Sequence, residues 1–95
     1  MDENVYLTIL FDYYEELLDE KDRDCFKSYY FDNLSLSEIS SNMGISRNAI
    51  HKRLKKVSDE LKDFECKLKL YEKEKKILDA VEDEKLKEII KNILT

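Results

Sequence analysis

Arg47, Asn48, His51 and Lys52 follow one another at i, i+1, i+4 and i+5, a spacing that sets them along one side of the opening turns of a helix. Their chemistry is that of base reading. Arg47 can bond guanine and Asn48 adenine, each through two parallel hydrogen bonds. Asn48 can equally satisfy a helix-start amide, and His51 can equally be an ordinary surface histidine. Lys52, Arg53, Lys55 and Lys56 suit phosphates, as do the hydroxyls of Ser35 and Ser37 one element earlier. Ser46 stands where the helix bearing these groups begins and caps it.

The elements that would position such a face are written around one residue. Gly44 is the single glycine of the chain, and there is no proline. Glycine enters positive φ without a Cβ clash, and a turn of this kind joins the two helices of a helix-turn-helix at a steep angle. Before it, Ser35-Leu-Ser-Glu38 is a capping box that opens a helix over 36–43. Leu36, Ile39, Met43, Ile45, Ile50 and Leu54 are the apolar residues expected to fix the crossing angle. Ser40 falls at the close approach of the two helices, where its hydroxyl needs a partner such as a carbonyl one turn earlier.

Two further helices precede the motif, over 5–18 and, capped by Asp19, over 20–31, ended by Asp32-Asn33. After it, Ile50, Leu54, Val57, Leu61, Phe64, Leu68 and Tyr71 recur at intervals of 4, 3, 4, 3, 4 and 3. That is a heptad seam, so the fourth helix is expected to be long and to pack within the chain or against a second copy. A short final helix is expected over 83–94. The predicted fold is all-α, with a helix-turn-helix domain over 1–76 and a C-terminal helical extension over 77–95.

Charge is unevenly placed. Residues 1–45 carry a net −8, residues 46–58 a net +5 with no acid at all, and residues 59–95 a net −2. The acid-free basic block coincides with the expected reading helix and would be drawn to phosphate by Coulomb attraction and counterion release. The overall net charge of −5 argues against a general nucleic-acid coat. One histidine and two distant cysteines make no metal site, and no catalytic constellation or phosphate-cradling glycine loop is present, so neither an enzyme nor a cofactor is expected. Cys25 and Cys66 read as reduced packing residues. The acidic N-terminus and the lack of a long apolar run predict a cytoplasmic protein without membrane insertion.

Leu10-Phe-Asp-Tyr-Tyr-Glu-Glu-Leu-Leu18, Tyr29-Tyr30, Ser35-Leu-Ser-Glu-Ile-Ser40, Ile45-Ser-Arg-Asn-Ala-Ile50 and Lys67-Leu-Lys-Leu-Tyr-Glu-Lys73 together resemble the YlxM family of small bacterial proteins. The resemblance covers about residues 5–76. It implies a helix-turn-helix of the winged-helix-like superfamily, similar to region four of sigma factors, and a regulatory role in the signal recognition particle pathway. Where this chain has His51 and Ser40, family members often have an aromatic residue and alanine.

Three readings follow. The first is a regulator that binds duplex DNA as a homodimer. The second is an accessory protein that binds the signal recognition particle RNA or protein. The third is a helical dimerisation module that binds no nucleic acid.

Overall fold

The computed structural model describes residues 1–94. Among them are six α-helices, one turn of 3₁₀ helix and no strand. Helix α1 (Glu3–Tyr14) is capped by the Asp2 side chain, which accepts from the Asn4 amide. The first helix was expected to run to Leu18 and stops short. Glu15–Leu17 wind instead as the 3₁₀ turn, because carboxylates at 15 and 16 sit at the negative end of the helix dipole. Helix α2 (Glu20–Tyr30) starts where Asp19 accepts from the Asp22 amide, and the chain leaves it through Asn33 at φ 60°.

Helix α4 (Arg47–Leu68) is the spine. Its N-terminal half gives Ile50 and Leu54 to a cluster with Cys25 and Ile39. Its C-terminal half gives Val57 and Leu61 to a larger cluster with Leu7, Leu10, Phe11, Tyr14, Leu18 and Phe26. Tyr30 packs on both clusters. Phe26 stacks on Phe11 at 4.6 Å and on Tyr30 at 4.3 Å between ring centroids. Each fully buried apolar side chain of this set contributes about 1.5–3 kcal/mol. The heptad seam is therefore consumed inside one chain as far as Leu61, with Phe64 packed at its edge.

The seam was expected to carry one helix through Tyr71, and here the structure differs. Lys69 adopts the left-handed conformation at φ 56°, and a separate helix α5 (Leu70–Ala80) begins. A non-glycine residue in that region costs about 1–2 kcal/mol. The offset is a buried cap that no local pattern announces. Tyr14 Oη donates to Glu65 Oε1 at 2.6 Å and accepts from the Leu70 amide at 3.1 Å. Glu65 Oε1 and Oε2 accept from the Tyr71 and Glu72 amides at 3.1 and 3.2 Å. Three orphan donors of α5 are thus satisfied by two side chains from α1 and α4. Tyr71 then turns back onto Tyr6 and Tyr13, each 6.1 Å away.

The last helix, α6 (Glu84–Leu94), is opened by Asp83, whose carboxylate accepts from the Lys85 and Leu86 amides. It packs on α5 and buries no residue fully. Cys25 is buried as expected, whereas Cys66 is exposed.

Burial and the hydrogen bond to Glu65 push the Tyr14 phenol up to about 12. With an unfolded value near 10, the neutral phenol favours the fold fully below pH ~10, and that contribution is lost as pH rises through about 12. Tyr14→Phe is expected to destabilise the protein at neutral pH by about 1–3 kcal/mol in urea unfolding. Between pH 10 and 12 it should show a shallower further loss of stability than the parent. Equal alkaline slopes would contradict the cap.

Candidate nucleic-acid interface

Helix α3 (Leu36–Met43) and the first turns of α4 form the motif. The expected capping box is present: Ser35 Oγ accepts from the Glu38 amide and Glu38 Oε1 accepts from the Ser35 amide, both at 3.1 Å. Gly44 ends α3 at φ 69°, with nothing within 4 Å of where a Cβ would stand. What glycine supplies there is the left-handed backbone rather than space. Ser46 then caps α4, its Oγ accepting from the Ala49 amide at 3.1 Å. Ser40 finds its partner across the turn rather than one turn back, donating to the Ile45 carbonyl. That bond ties the end of α3 to the turn that leads into α4. Ile39, Ile50 and Leu54 are buried beneath the turn, and Leu36, Met43 and Ile45 half-buried around them.

The ten residues expected to contact nucleic acid divide into three groups. Arg47, Asn48, His51, Lys52 and Lys55 are exposed on the outer side of α4. Arg47 Nη1 donates to Ser37 Oγ at 3.3 Å, which joins the start of α3 to that surface. Because Ser46 supplies the cap, the Asn48 amide is left pointing to solvent without a protein partner. Lys55 pairs with Asp59 at 2.8 Å, an exposed contact worth under about 1 kcal/mol that a phosphate would readily replace.

Ser35 and Ser46 form the second group, with hydroxyls committed to capping. Arg53 and Lys56 form the third and are paired with an acid, the Arg53 side chain 28% and the Lys56 side chain 57% exposed. Both reach Asp22 of α2, at 3.5 Å and 2.9 Å, and Lys56 also lies 3.7 Å from Glu60. Asp22 raises the Lys56 ammonium above the usual lysine range through its hydrogen bond and charge. Its own side chain is only 3% exposed.

Asp22 is the residue that sequence reasoning missed. It joins α2 to α4 and neutralises part of the charge of Arg53 and Lys56. Nothing in Glu20-Lys-Asp-Arg-Asp24 separates it from its exposed neighbours except its place one helical turn before Cys25 and Phe26.

Among the described residues, no group of three or more histidine, cysteine or carboxylate side chains is arranged to hold a metal, and no helix is long and apolar enough to cross a membrane.

A family model described as "Putative helix-turn-helix protein, YlxM / p13 like" matches residues 1–94. A UPF0122 protein of Caldanaerobacter subterraneus subsp. tengcongensis is 39% identical over 94% of this chain and 74% of its own length. One from Fusobacterium nucleatum is 39% identical over 99% of this chain and 98% of its own. A third, from Malacoplasma penetrans, is 48% identical over 66% of this chain and 59% of its own.

Removing the inward anchor should separate stability from charge. Asp22→Ala is expected to cost about 1–3 kcal/mol in denaturant unfolding, because it deletes two charge-assisted contacts. Lys56→Ala, which leaves Arg53 on Asp22, should cost less than half as much. Equal costs would mean that Asp22 does not organise the pair.

Proposed function

The chain belongs to the UPF0122 family of YlxM/p13-like helix-turn-helix proteins, and from that premise we propose that it is a cytoplasmic, duplex-DNA-binding regulator. The observation that carries this reading is the outer face of α4. Arg47, Asn48, His51 and Lys52 are exposed together there, and the neighbouring cations Arg53 and Lys56 are paired with Asp22. A helix-turn-helix docks by laying the N-terminal residues of its second helix against base edges in the major groove. Arg47 and Asn48 are the base readers in this account, with His51 beside them. Lys52, Lys55 and Ser37 take phosphates.

The active form is a homodimer contacting two half-sites. With the heptad seam used within the chain as far as Leu61, self-association is assigned to α6, where Leu86, Ile89 and Ile93 are exposed on one helix.

A second reading rests on a separate observation. Among the acids of residues 1–45, Glu3 and Asp22 pair with cations, whereas Asp59, Glu60, Asp63 and Glu72 of the later helices each pair with a lysine one turn away. The first two helices thus present largely uncompensated negative charge. That favours an accessory role in the signal recognition particle pathway, with the basic face of α4 on the particle RNA and the acidic helices toward its protein.

Fluorescence anisotropy with a labelled random duplex tests the first reading. Binding should weaken steeply with salt, and Lys52→Ala should reduce the log–log salt slope by about one. Arg47→Ala should cost about 1–3 kcal/mol on a preferred sequence. If a variant carrying both Arg47→Ala and Lys52→Ala binds duplex like the parent, this face is not the reader. If the particle RNA or protein binds and duplex does not, the second reading replaces the first.

A further inference from the structure

On the flank of the molecule between α1 and α5 lies an open cleft of about 660 Å³, within the ~300–1,000 Å³ range of ligand sites. Its walls are apolar and aromatic: Ile9 and Tyr13 from α1, Tyr71 and Leu78 from α5, all half-buried. The Tyr13 and Tyr71 rings meet at 6.1 Å and are inclined at 50°. Glu74 lines the cleft as well and is 94% buried, 6% of its surface remaining accessible.

No hydrogen bond or ion pair reaches the Glu74 carboxylate among the described residues, although every other buried acid is engaged. Asp22 holds Arg53 and Lys56, and Glu65 caps α5. Its oxygens keep their solvent contact, so the carboxylate is open to a ligand while the rest of the side chain is packed away. The exposed residues of the cleft carry both signs, Asp12 and Asp79 against Lys75 and Lys91, so they leave the Glu74 charge as the excess. Burial and the neighbouring Glu15 hold the Asp12 carboxyl above the usual carboxylate range, which marks a second acid short of a cation.

We propose that this cleft binds an arginine or lysine side chain presented by a basic amphipathic segment of a partner protein. The aliphatic stem lies against Ile9 and Leu78, the aromatic rings offer their faces to the cation, and Glu74 receives its N–H donors. A free anion or a nucleic acid would place negative charge beside Glu74 and is disfavoured. The net −8 of residues 1–45 would steer a basic partner to this flank. The proposal stands apart from the α4 surface. Its protein-partner chemistry matches the second reading above but does not depend on the identity of that partner.

The test is calorimetry of the full chain with a short leucine–arginine peptide in amphipathic helical spacing, beside the same peptide with citrulline for arginine. The arginine peptide should bind, and the citrulline peptide at least about tenfold more weakly. Glu74→Gln keeps the shape of the site and removes the charge. It should lower affinity for the arginine peptide about tenfold, with unchanged helical circular dichroism and unchanged duplex binding. Asp59→Asn, on the exposed side of α4, should leave peptide affinity as it was. Binding that is the same for Glu74→Gln as for the parent, equal binding of the two peptides, or no binding of the arginine peptide overturns the proposal. None of these outcomes bears on duplex binding, which is scored separately.

Discussion

Every other feature depends on the burial of one stripe of α4. Ile50, Leu54, Val57 and Leu61 are at most 7% exposed, and they run through both hydrophobic clusters. A rigid helix shared by two cores cannot roll or slide without opening both. The direction of its outer face is therefore set by packing far from that face. The glycine turn and the Ser40–Ile45 bond bring α3 to α4, but it is the stripe that fixes where Arg47, Asn48, His51 and Lys52 point.

On that fixed helix the cations are sorted by their partners. Asp22 claims Arg53 and Lys56 and leaves the N-terminal cations to solvent. A buried acid spends desolvation energy to do this, and two charge-assisted contacts offset the cost. The sorting matters more for function than the net charge of the chain does. A −5 protein can still present a local positive face when its acids are located elsewhere or committed to lysines of their own.

The sequence was most legible where local chemistry dictates local structure. The capping box, the Asp19 and Ser46 caps and the left-handed Asn33 and Gly44 all stand where their side chains require. The candidate face was legible for the same reason, since Arg47, Asn48, His51 and Lys52 follow directly from the helix start at Ser46. Legibility failed where a distant contact overrides a local pattern. The heptad seam runs unbroken through Lys69 with no glycine or proline, so nothing nearby marks the end of α4. The break is imposed by Tyr14, more than fifty residues earlier, acting through Glu65. The pairing of Arg53 and Lys56 was hidden likewise, because it depends on an aspartate of α2.

The most direct test of the account is an amide chemical-shift map of the protein titrated with unlabelled duplex DNA. Shifts concentrated on Ser37, Arg47, Asn48, His51, Lys52 and Lys55, with α5 and α6 unmoved, are the predicted result. Saturable shifts confined to α1 and α2, or none at concentrations well above those used for anisotropy, would contradict it.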